Sequence, residues 1–245
     1  MIQVKGLGKQ YGEQWVVKEF QFGVRPGEFL GILGRNGAGK TTLVRMLTGQ
    51  LKPTQGEISI LGQPVADRPL DLRKNIGVMP EPSALLDRLT GNQYLDFAGQ
   101  IHGLEPRLLK ERIQELGALL EIDFHLALRI GDYSYGMKKK VALSVALLHA
   151  PKVVFLDEPF EGLDPVCSET LKGLLASLHD HGTTLVMTSH LLGIAERLCT
   201  RFLVIDQGRK IADASTASLL QDAKDLESLF LNLVGKPKPG GLSWM

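Results

Sequence analysis

The stretch GRNGAGKTT, beginning at Gly34, has the most specific chemical spacing in the chain. Gly34, Gly39, Lys40 and Thr41 fit G-x-x-x-x-G-K-[ST], with the strand-like run EFLGIL before it and the helical run TTLVRML after it. A loop of this composition (Arg35, Asn36, Gly37, Ala38, Gly39) turns backbone N–H groups inward around phosphate oxygens. The helix that opens at Thr41 and Thr42 adds the positive end of its dipole. Lys40 is placed to reach the β- and γ-phosphates of a nucleotide, and the Thr41 hydroxyl to ligate Mg²⁺. A second stretch, VVFLDEP (153–159), completes a phosphate-hydrolysing pair. Four apolar residues deliver Asp157 to a strand end, suited to hold Mg²⁺ through water or through Thr41. Glu158 follows as the carboxylate that orients or deprotonates an attacking water.

A third stretch, YSYGMKKK (133–140), is no site by itself. It contains no nucleophile–base pair and no metal-ligand spacing. Ser134 and Gly136 nevertheless open an apolar helix, and a helix start with a hydroxyl and a small residue suits an anion. The lysines that follow are the only tight basic run and read as a solvated face without a catalytic role.

These stretches need elements to hold them. Short β-rich runs alternate with longer helical patterns, which predicts an α/β fold with a mostly parallel sheet. Strands are expected at 28–34, 52–62 after a turn, 75–81, 152–158, 183–190 and 201–212. Between them, YLDFAGQIHGL and LLKERIQELGALLEI are amphipathic helical segments. The helix after YSYGM belongs with these two, so a helical insert interrupts the core. The organisation expected is one domain over 1–235, with a core of 1–80 and 151–215. A helical subdomain covers 81–150, a C-terminal helix lies within 216–235, and the tail 236–245 is expected to be mobile.

Composition narrows the class. The chain has 245 residues, 44% of them hydrophobic, which suits a globular core. The net charge of +1 argues against a nucleic-acid partner held by a basic surface. Cys167 and Cys199 are far apart and fit free thiols in a reducing compartment. No run approaches ~18 uninterrupted apolar residues, and the N-terminus lacks a signal-peptide core. A cytoplasmic chain is expected.

Taken together, the motifs resemble the ATP-binding subunit of ABC transporters over nearly the whole length, to about Gly235. YSYGM stands where that family has its signature, usually Leu-Ser-Gly-Gly-Gln. EGLDP (161–165) is similar to the D-loop, TSH (188–190) ends in the position of the switch histidine, His190, and Tyr11 matches the aromatic that stacks on adenine. The fold implied is a P-loop NTPase core with an antiparallel N-terminal β portion and a helical subdomain.

The resemblance implies binding of ATP and Mg²⁺ between two head-to-tail copies, or homologous subunits. Ser134 and Gly136 would then face the γ-phosphate held on the partner, and Asp164 would link the two sites. Glu158, His190 and Lys40 would be catalytic, and Thr41, Asp157 and Glu81 would face the metal. The implied second partner is an integral membrane permease, which would hold the chain at the inner face of the membrane. Glu81 departs from the family, which usually has Gln there. That Glu, the YSxGM signature and the tail LESLFLNLVG resemble the ABC-2-type exporter branch. The competing expectation is a non-transport ABC ATPase acting on ribosomes or DNA.

Overall fold

The computed structural model describes residues 1–67, 70–221 and 223–235. Alternating apolar and polar residues at the N-terminus form two long antiparallel strands, β1 (Ile2–Tyr11) and β2 (Gln14–Val24). Next comes β3 (Phe29–Leu33), buried along its whole length, and a glycine-rich loop leading into α1 (Lys40–Leu47). β4 (Gln55–Ile60) and β5 (Gln63–Pro64) complete an antiparallel sheet in the order β2-β1-β4-β5.

The chain continues through α2 (Leu70–Lys74) and β6 (Ile76–Val78) into three helices: α3 (Gly91–Ile101), α4 (Pro106–Leu119) and α5 (Tyr135–Leu147). Strand structure returns with β7 (Val153–Leu156), followed by α6 (Pro165–Asp180), β8 (Thr184–Ser189) and α7 (Leu192–Leu198). The described chain closes with β9 (Arg201–Asp206), β10 (Arg209–Ser215), α8 (Thr216–Leu219) and α9 (Leu226–Val234).

The second sheet runs β10-β9-β3-β8-β7-β6, parallel throughout except for β10. This is the α/β architecture expected from the alternating pattern. With both faces of the sheet covered, period-2 geometry explains why β3 and β7 carry no polar side chains. Phe29 and Leu33 of β3 face one core, with Val154 and Leu156 of β7. Leu30 and Ile32 face the other core, with Val153 and Phe155. The first core packs the sheet on α5 and the other helices; the second packs it on α1 and the antiparallel sheet.

One expected element is corrected. The run 201–212, read as a single strand, is a hairpin: Gln207 and Gly208 both take positive φ and turn β9 back as β10. The Asp-Gln-Gly sequence at the turn supplies the reason. Helix starts follow capping chemistry. Thr90 and Gln93 form a reciprocal capping box on α3, while Asp164 accepts from the Cys167 N–H ahead of Pro165 at the start of α6. Among the described residues no helix is long and apolar enough to cross a membrane. The tail 236–245, expected to be mobile, lies outside the described residues.

Candidate functional site

The glycine-rich loop is closed from outside. Gly39 has φ +103, and a Cβ there would stand 2.6 Å from the Val16 carbonyl oxygen of β2, so both backbone and space demand glycine. Ala38 is buried; its N–H donates to the Arg35 carbonyl and its own carbonyl accepts from the Gly208 N–H. α1 starts at once with Lys40, only 7% exposed. Its Nζ donates to the Gly34 carbonyl at 2.9 Å and to that of Arg35 at 3.4 Å. Arg35, Asn36, Gly37, Gly39, Lys40, Thr41 and Thr42 line a cavity of about 410 Å³ together with Glu158 and His190.

β7 delivers Glu158 to the same cavity. Glu158 Oε1 lies 3.5 Å from Lys40 Nζ. Its Oε2 accepts the His190 backbone N–H at 3.1 Å and lies 2.8 Å from His190 Nδ1. The Glu158 backbone has φ +45, a left-handed conformation that costs on the order of 1–2 kcal/mol for a residue with a Cβ. Thr188, buried on β8, holds this turn: its hydroxyl donates to Asp157 Oδ1 and accepts the Glu158 N–H at 2.9 Å. Thr188 was legible only as part of TSH; its role depends on β7 and β8 being neighbours.

A second cavity, about 270 Å³, brings Thr41, Glu81, Asp157 and Glu158 together. These are hard oxygen donors, which suit Mg²⁺. Among the described residues no cluster of three His, Cys, Asp or Glu side chains could hold a metal unaided. Glu81 is paired with Arg45 of α1, and this hydrogen bond, reinforced by charge, raises Arg45 above its ordinary value.

The family match for ABC transporter covers residues 17–161, from within β2 through α5 and β7 to the acids Asp157 and Glu158. The chain belongs to the ABC transporter family. It is 38% identical over 221 residues to Nod factor export ATP-binding protein I of Rhizobium sp. (strain N33), covering 90% of this chain and 73% of that one. The protein of the same name from Burkholderia orbicola (strain AU 1054) is 36% identical over 220 residues, covering 90% and 72%. Among solved structures, an ATP-binding subunit of an ABC transporter superposes with TM-score 0.88 at 30% identity, covering 95% of this chain and 99% of that one. A dimeric bacterial ABC transporter cassette gives TM-score 0.82 at 25% identity, covering 88% and 99%. This chain is an ATP-binding ABC ATPase subunit, similar to export ATP-binding proteins.

Other residues of this ABC subunit lie away from the phosphate cavity. Ser134 is exposed and caps α5, its Oγ accepting the Met137 N–H at 3.3 Å. Neither Ser134 nor Gly136 lines the two cavities that hold the loop and the acids. Tyr133 is buried and donates to the His125 carbonyl at 2.6 Å, which fixes the approach to α5. Tyr11 is half-exposed at the end of β1, with Lys9 Nζ 5.2 Å from its ring centre. The Asp164 carboxylate is occupied by the Cys167 N–H at 2.9 Å, which holds it below its usual range.

The Arg35 guanidinium donates to the Gly235 carbonyl at the end of α9 at 2.6 Å. One residue behaves differently from its sequence-based expectation. Lys139, read as part of a solvated basic face away from the site, is 2% exposed and lines the cavity with Asp157 and Glu158. The reason is the packing of α5, which is buried on nearly all sides. A helix wedged between sheet and insert turns one of three consecutive lysines inward.

Proposed function

We propose that this chain hydrolyses MgATP in a head-to-tail pair and so drives export through a separate membrane subunit. The observation that carries this reading is the placement of Glu158. Its carboxylate stands at the end of β7 against the cradle, 3.5 Å from Lys40 Nζ and 2.8 Å from His190 Nδ1. In this reading the loop N–H groups and Lys40 hold the phosphates, while Tyr11 stacks on the base. Glu158 takes a proton from the attacking water, and His190 orients that carboxylate and donates to the γ-phosphate. Thr41, Asp157 and Glu81 would hold Mg²⁺, which neutralises charge on the β- and γ-phosphates when bound.

Within one chain, Ser134 and Gly136 face neither cavity, which supports a role on a partner's ATP, with Asp164 at the seam. The γ-phosphate then favours the closed pair, and its loss favours opening. The relatives named as Nod factor export proteins support the exporter assignment, with the chain held at the inner membrane face by its permease and the cargo chosen there. The test is Glu158→Gln, measured by ATPase assay and by size-exclusion chromatography with ATP. Turnover should fall by on the order of 10²–10³ while an ATP-bound dimer accumulates. Wild-type turnover in this variant would remove Glu158 as the base.

A further inference from the structure

The N-terminal part of α5 faces two ways. Its first turn presents Ser134 outward. Five residues on, roughly 7.5 Å along the axis, it buries the ammonium of Lys139. Lys139 Nζ donates to the Glu161 carbonyl at 2.6 Å and sits 5.5 Å from the Tyr135 ring centre. Glu161 in turn donates its N–H to the Glu158 carbonyl at 3.2 Å, which closes a tight turn. Two hydrogen bonds therefore connect the helix to the residue whose backbone is in the left-handed conformation.

The contact is reinforced next door. A Cβ on Gly136 would lie 3.3 Å from the Gly162 carbonyl oxygen, so the helix start packs on the same turn. A buried ammonium is costly unless compensated. Burial lowers the proton affinity of Lys139, and Glu161, Glu158 and Asp157 oppose that effect. For packing alone an apolar side chain of the same length would serve better, so the charge itself has a use here.

We propose that Lys139 is a positioning residue that ties the signature end of each subunit to that subunit's own Glu158. This rests on the reading that Ser134 serves ATP held on a partner. Engagement of α5 by the partner's γ-phosphate is then transmitted through Lys139 to the turn 158–161, so the two shared sites sense one another.

The test uses the full chain with Lys139→Met and Lys139→Arg. For Lys139→Met, the Kd of a fluorescent ATP analogue should stay within about twofold, because the cradle is untouched, while kcat falls roughly 10- to 100-fold. Lys139→Arg, which keeps charge and donor, should recover most of kcat. Hydrogen exchange supplies a readout other than turnover. With ATP, Glu158→Gln should pair and protect residues 158–162, and Glu158→Gln with Lys139→Met should pair without that protection.

Wild-type kcat in a folded Lys139→Met, equal loss in Lys139→Arg, or unchanged protection in the double variant would overturn the proposal. If Glu158→Gln alone fails to pair with ATP, the shared-site reading falls and takes this proposal with it. Failure confined to the Lys139 variants overturns only the proposal.

Discussion

The phosphate side and the signature side of this subunit are built on opposite terms. On the phosphate side the charged groups are held within the chain. Lys40 is bound to two loop carbonyls and faces Glu158, and the Thr188 hydroxyl binds the Asp157 carboxylate and the Glu158 N–H. On the signature side Ser134 and Tyr135 are exposed, and the Ser134 hydroxyl has only a local capping bond. The first region is preorganised by contacts within the chain. The second is a helix terminus anchored from behind, with its front exposed. The lesson is that the two regions should fail differently when perturbed.

The largest expected effect is on the phosphate side. Lys40→Ala should abolish ATP binding, measured on the single chain, and hydrolysis with it, a fall of roughly 10³-fold in the kcat/KM of the pair. If the variant kept the affinity of the unaltered chain, the cradle would not be the phosphate site and the comparison would lose its first term.

Ser134→Arg should cut the other way. Affinity of the single chain for ATP should stay within about twofold, while ATP-induced pairing disappears and kcat drops on the order of 100-fold. Binding by nucleotide fluorescence and pairing by light scattering separate the two effects. Loss of both at once would show that the signature end serves its own chain's nucleotide.

The anchoring of α5 is also sensitive to acid. His149, just beyond its C-terminal end, bonds the Ile76 carbonyl through Nε2 at 3.0 Å and stacks on His102 with ring centres 3.7 Å apart. Burial, then the neighbouring His102, push His149 down to about 4. The unfolded chain, with His near 6.5, binds more protons than the folded one between these values, so stability falls as pH drops through that window. Allowing for partial exposure of the ring, the loss is about 2 kcal/mol by pH 4, fully absent at pH 7. Thermal melts at pH 7 and pH 5 should show the decline, and His149→Leu should flatten it.

The smallest effect is expected at the rim of the metal side. Arg45 and Glu81 form an ion pair whose side chains are about half exposed, so Arg45→Ala should change stability by less than about 1 kcal/mol and the Mg²⁺ dependence of ATP binding by less than about threefold. Titration of Mg²⁺ against ATP affinity checks this. A tenfold change would make Arg45 part of the phosphate side proper.

How much was legible follows the same division. GRNGAGKTT and VVFLDEP could be placed from sequence because each is local: a buried strand, a tight turn and a helix start follow from adjacent residues. The same is true of Ser134 as a helix cap. Lys139 was misjudged because its partner, Glu161, is far along the chain. The hairpin at 207–208 was missed because strand character runs through both arms and only the positive-φ pair breaks it.

By itself, then, the sequence determined the chemistry available and the class of fold, since periodicity and turn composition act over a few residues at a time. Only the tertiary structure decided which carboxylate meets Lys40, which threonine holds the acids and which lysine is buried. Those outcomes depend on strand order and on how α5 is wedged into the core, and close packing of distant segments leaves no periodic trace along the chain.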